Sequence, residues 1–95
     1  MNQYEVLYLI TPELDEETNK AVIEKFAGII TANGGEIVKQ DEWGKRRLAY
    51  AIDYKTEGYY VLVDFNAVPT LPAELERNFR NDERILRYMV TSKVA

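Results

Sequence analysis

The chemistry most available to this sequence is that of its cations. Lys45, Arg46 and Arg47 are consecutive within 43-WGKRRLAYAI-52, and Arg80, Arg84 and Arg87 recur at intervals of four and three. A guanidinium is a planar fork of donors that matches phosphate oxygens bidentately. Two such segments in one small chain therefore predict contact with a polyanion. The competing reading of the first cluster is protective: charge on an exposed strand edge keeps it from pairing with other chains. Other chemistry is hard to build. With no His and no Cys, the usual general base, the Ser–His and Cys–His pairs and thiolate metal sites are all removed. Glu16 and Glu17, or Asp41 and Glu42, are neighbours in sequence and so do not face one another as catalytic pairs do. No glycine-rich phosphate loop is present, and Asn33-Gly34-Gly35 reads as a helix stop. No catalytic residue, metal ligand set, cofactor or small-molecule substrate is predicted.

The charge balance at first argues against a polyanion, because the chain carries a net charge of −4. The charge is uneven, however. Residues 1–42 hold nine acidic side chains against three lysines, whereas residues 77–95 hold five basic side chains against two acidic ones. A phosphate responds to local potential within a Debye length of about 8 Å, not to net charge. The 95 residues suffice for one domain, 1–95, and not for two cores. No apolar run is long enough to span a bilayer as a helix. The opening MNQYEVLYLI lacks a basic leader and cleavage site, so a cytoplasmic protein is expected.

The elements that must position these cations follow from periodicity. Residues 3–10 are β-branched and aromatic and read as a strand. Asp15 is a plausible N-cap with Glu16 and Glu17 at the positive end of the helix dipole. Val22, Ile23, Phe26, Ile29 and Ile30 then recur at helical spacing. Residues 36–52 form a second extended stretch, interrupted near Trp43-Gly44 by an expected bulge. Residues 53–58 read as a turn and 59–65 as the clearest strand. Pro69 and Pro72 open a second helix carrying Leu71, Leu75 and Phe79, and residues 85–92 close as a strand. The order βαββαβ predicts an α+β, ferredoxin-like fold: a four-stranded antiparallel sheet with both helices on one face.

That fold leaves one sheet face open, and the alternation assigns its residues. Tyr4, Val6, Tyr8 and Ile10, with Tyr59, Val61, Val63 and Phe65 and with Leu86, Tyr88 and Val90, should point at the helices. The opposite parity carries Glu5, Asp64, Ile85 and Arg87 along with Leu7, Leu9, Tyr60, Leu62 and Met89. A solvated face should be mostly polar; these last five instead predict an apolar patch, of the sort that marks an interface. The two residues beyond Lys93 are too few to cover it. EGYYVLVDF invites comparison with an RNA-recognition motif, but Glu57 and Val61 stand where a basic and a stacking aromatic residue belong. Trp43 reads as an anchor over the sheet end.

YEVLYLITPELDEE, EWGKRRLAYAI and NFRNDERILRYMVTSK together resemble the family of bacterial small-subunit ribosomal protein number six (bS-six), in order and across essentially the whole chain. The resemblance implies the ferredoxin-like fold and binding to the central domain of small-subunit ribosomal RNA. It also implies cooperative assembly as a heterodimer with ribosomal protein number eighteen, a small basic protein. The expected setting is the ribosome in the cytoplasm. By the same resemblance, Lys45, Arg46, Arg47, Arg80, Arg84 and Arg87 contact RNA. Leu7, Leu9, Tyr60, Leu62 and Met89 face the protein partner. The chain departs from the family pattern at Asn2 and Gln3, where a basic residue is common, and at Ala51, where a proline often stands. Two readings from other classes compete: a metabolite-binding regulatory homodimer and, more distantly, an acylphosphatase-like enzyme.

Overall fold

The computed structural model describes residues 1–52 and 54–93. The order is β1 (Asn2–Ile10), α1 (Glu16–Ala32), β2 (Glu36–Ile52), β3 (Lys55–Ala67), α2 (Leu71–Arg80) and β4 (Ile85–Ser92). The four strands form one sheet in the order β2-β3-β1-β4, with every neighbouring pair antiparallel. This is the βαββαβ arrangement expected from periodicity.

Local chemistry fixes the ends of the helices. The Thr18 N–H donates to Asp15 Oδ1 at 2.8 Å, so Asp15 caps α1. At the far end the Gly35 N–H reaches the Ile30 carbonyl at 2.8 Å and the Gly34 N–H the Thr31 carbonyl at 3.1 Å. This paired return requires a left-handed residue, and Gly34 supplies it at φ +79°. Helix α2 carries Pro72 in its first turn, where the missing N–H has no intrahelical acceptor to lose.

One core lies between the helices and the sheet. Val22, Ile23, Phe26 and Ile30 from α1 and Leu71, Leu75 and Phe79 from α2 pack on Tyr4, Val6, Tyr8, Ile10, Val61, Val63 and Phe65. At its centre Phe26 stacks on Phe79 at 4.2 Å between ring centroids, and Tyr8 meets Phe79 at 4.9 Å. Such aromatic pairs add to the burial of their area. The phenol of Tyr8 has no hydrogen-bond partner among the described residues, and burial pushes its ionisation far above the ordinary range.

Two expectations are corrected. Strand β4 does not keep one parity: the register shifts between Leu9 and Ile10, so Leu9 lies opposite Arg87 but Ile10 opposite Ile85. That irregularity turns Ile85 onto the core, and Leu86 is not among the residues packed there. The turn expected over residues 53–58 is also shorter, because Lys55–Gly58 is already strand. Of the remainder, Tyr54 is fully exposed at φ +65°, and Asp53 lies outside the described residues.

Strand β2 has 17 residues, which at about 3.3 Å each would reach roughly 55 Å if straight. The molecule's longest dimension is 37 Å, so β2 must bend. It does so where its register against β3 shifts: between Ile37 and Lys39, between Glu42 and Gly44, and between Arg47 and Ile52.

Candidate functional site

The face of the sheet away from the helices carries the residues of interest, arranged in rows across the strands. Arg87, Leu9, Tyr60 and Gly44 lie opposite one another across β4, β1, β3 and β2. Met89, Leu7, Leu62 and Asp41 form the next row, and Thr91, Glu5, Asp64 and Lys39 the one after. The face is thus graded along the strands, with cations and aromatics at one end, an apolar middle and charged pairs at the other.

At the charged end, Lys93 Nζ sits 3.4 Å from Asp64 and 3.7 Å from Glu5, two carboxylates directly opposite across β1 and β3. Lys39 pairs with Asp41 at 3.3 Å. In the middle, Leu7 and Leu62 are half-buried and Met89 is 55% exposed. The apolar patch expected from alternation is therefore present, with one correction. Leu9 was expected on an open surface and is only 5% exposed. The end of β2 covers it: after Arg47 the strand leaves its register with β3, and Leu48, itself buried, closes over the sheet. The Arg87 guanidinium donates to the Tyr50 hydroxyl at 2.9 Å, so this segment crosses β3 and β1 to reach the far edge strand. Between the segment and the sheet is a cleft of about 280 Å³, lined by Leu7, Leu9, Leu48, Ile52, Tyr60 and Met89 with Arg87 at its rim. Sequence reading missed this cover. Its signal was a β2 too long for its partner strand, with Leu48 and Ile52 apolar in the surplus.

The cations converge on the end of the sheet where β1 finishes and β4 begins, but they face different ways. Lys45 lies opposite Tyr59 and lines a second cleft, of about 430 Å³, together with Asp15, Glu16 and Lys20 of the α1 start. There the Tyr59 hydroxyl donates to Glu42 at 3.0 Å, and its partial burial raises its ionisation. Arg46 faces the open side. Its guanidinium carbon lies 5.2 Å from the centroid of Trp43, and Trp43 stacks on Tyr60 at 5.9 Å with the rings 13° apart. Arg47 lies opposite Glu57 and is exposed, as is Arg80 at the end of α2.

Arg84 differs. Its Nε and Nη2 donate to Asp82 at 2.9 and 2.8 Å, and its backbone N–H donates to the same carboxylate at 3.0 Å. Lys25 from α1 adds a contact at 2.8 Å. The Asp82 side chain is 4% exposed, and its hydrogen bonds from Arg84, then Lys25, hold its carboxyl well below the usual carboxylate range. Arg84 thus braces the junction of α2 and β4, and Lys25 ties that junction to α1 through the same carboxylate. No cluster of carboxylates suited to a metal ion occurs among the described residues, and no helix among them is long and apolar enough to cross a membrane.

The geometry has counterparts in known proteins. A family model described as ribosomal protein S6 matches residues 3–92. The small ribosomal subunit protein bS6 of Clostridium novyi is 51% identical over 92 residues, covering 97% of each chain. That of Caldanaerobacter subterraneus is 50% identical over 90 residues, covering 95% of each. The Bacteroides fragilis counterpart is 47% identical over 94% of this chain and 78% of its own length. Among solved structures, the 30S ribosomal protein S6 from Thermotoga maritima superposes with a TM-score of 0.93 at 29% identity, over 97% of this chain and 87% of that one.

Proposed function

The chain belongs to the ribosomal protein S6 family, structural proteins of the small ribosomal subunit and not enzymes, and from that premise we propose that it binds the central domain of small-subunit ribosomal RNA jointly with ribosomal protein number eighteen. The observation that carries this reading is the graded open face. A basic partner suits the apolar middle and the Glu5–Asp64 end, and its charge offsets the −4 of this chain. The pair then presents the positive field that the monomer lacks. At the other end, Arg46, Arg47, Arg80 and Arg87 carry the phosphate contacts. Lys45 stands on the helix side, and Arg84 reaches RNA only with the donors that Asp82 leaves free. The 95 residues act as one domain, in the ribosome of the cytoplasm, and the work is assembly: two proteins hold one fold of the RNA.

The test is a titration against the central-domain RNA with and without the partner protein. Weak binding alone and tight binding with the partner is the expected result. Binding by neither mixture, with a homodimer at micromolar concentration, overturns the reading in favour of a regulatory dimer. Leu62→Asp separates the partner face from the core: it abolishes the heterodimer and leaves the melting temperature nearly unchanged. A collapse of stability instead would make Leu62 a core residue.

A further inference from the structure

Trp43 and Arg46 are three residues apart, and in a regular strand that spacing puts two side chains on opposite faces. Here both are on the open face. The reason is the register shift between Glu42 and Gly44, which leaves Trp43 as the extra residue. Gly44 adopts φ +81°, a conformation that side-chain-bearing residues rarely take. The irregularity therefore builds a column: Tyr60 from β3, Trp43 stacked on it, and the Arg46 guanidinium against Trp43. Trp43 is only 39% exposed, so it packs against its neighbours while meeting the arginine. Among the described residues Arg46 has no carboxylate within ion-pair distance.

An aromatic surface restrains a guanidinium without using its N–H donors, whereas a carboxylate uses them. We infer that Trp43 is a positioning residue for RNA: seated on Tyr60 and aimed by the Gly44 bulge, it holds the Arg46 fork oriented toward a phosphate of the ribosomal RNA. The inference rests on the proposed role of Arg46 in RNA binding. It assigns the adjacent Trp43-Gly44 pair a purpose beyond ending or bending a strand.

The experiment measures affinity for the central-domain RNA, with the partner protein present, across a salt series. Trp43→Ala removes the support and leaves every charge in place. It lowers affinity roughly twofold to fivefold, the range of an exposed cation–π contact, while the slope of log affinity on log salt stays unchanged. Arg46→Gln lowers the affinity and also reduces the slope by about 0.7 to 0.9. In the Arg46→Gln background, Trp43→Ala has no further effect, because the two residues act as one unit. Trp43→Phe restores most of the loss. Gly44→Ala keeps both side chains but opposes the backbone that aligns them, and it reproduces the Trp43→Ala phenotype. Losses that simply add in the double variant, or an Arg46→Gln effect with none from Trp43→Ala, overturn the positioning role. No effect from Arg46→Gln overturns the phosphate contact on which the role depends. Melting curves of each variant confirm that the comparison is between folded proteins.

Discussion

Arg46 and Arg84 stand at the same end of the sheet and are held by opposite means. Arg84 is bound through two side-chain donors and its backbone N–H to a nearly buried Asp82. Arg46 rests on an indole ring and keeps its donors. An arginine paired with a carboxylate has its charge compensated and serves the fold, whereas one stacked on a ring is oriented but keeps its charge and donors open. Counting basic residues in a sequence cannot tell these apart, because the distinction lies in what each side chain meets.

The largest effect that would sharpen this contrast comes from removing the carboxylate. Asp82→Ala breaks the junction of α1, α2 and β4 and costs about 2 kcal/mol, from part-buried charged hydrogen bonds to a nearly buried carboxylate. In a domain of this size that lowers the melting temperature by roughly 10 °C. RNA affinity, measured below the new melting temperature, stays close to that of the parent. If affinity falls as much as stability, the junction belongs to the RNA surface and the contrast fails.

Next in size is the exchange of roles between the two arginines. Arg84→Gln lowers stability by about 1 kcal/mol and leaves the salt slope of RNA binding nearly intact. Arg46→Gln does the reverse, with little change in urea midpoint. Equal slopes lost at both positions would show that Arg84 also reaches phosphate.

Acid supplies a third comparison. The Asp82 carboxyl is depressed in the folded chain, so its stabilisation is fully present above the unfolded value of about 3.9. That contribution is lost only as the pH falls through the lower folded value. The stability gap between the parent and Asp82→Asn is therefore flat from neutral pH down to about pH 4, then closes in stronger acid. Urea midpoints across that range measure it, and a gap that closes near neutrality would mean that Asp82 is not the group concerned.

The smallest effect is that of Tyr50→Phe, which removes one exposed hydrogen bond from Arg87. Stability changes by less than about 0.5 kcal/mol, and RNA binding tightens slightly as Arg87 is freed. Weaker RNA binding would instead make the Tyr50 hydroxyl part of the interface.

How much of this was legible in the sequence depends on how local the signal is. The alternation of Tyr4, Val6 and Tyr8 against Leu7 and the helical stripe from Val22 to Ile30 fixed the elements, the layer order and the apolar patch. Asn33-Gly34-Gly35 marked its helix end because the required backbone is a property of glycine itself. Ile85 was misassigned because one register shift reverses a parity, and no residue type at that point signals the shift. The covering of Leu9 by Leu48 was missed because it depends on the partner strand being shorter. The tie from Lys25 to Asp82 joins residues distant in sequence, and no spacing reveals it.

The end of β2 laid over Leu9 bears on the life of the chain before assembly. A bare apolar sheet face would invite association between copies of the chain. The end of β2 laid on that sheet, with Leu48 buried against it, covers part of the apolar area as a second protein there would. The polar fastening, a single exposed hydrogen bond from Arg87 to Tyr50, is worth less than about 0.5 kcal/mol. A bond that weak leaves the cover resting on the apolar contacts of Leu48 and Ile52, which a partner of the kind proposed would replace with its own.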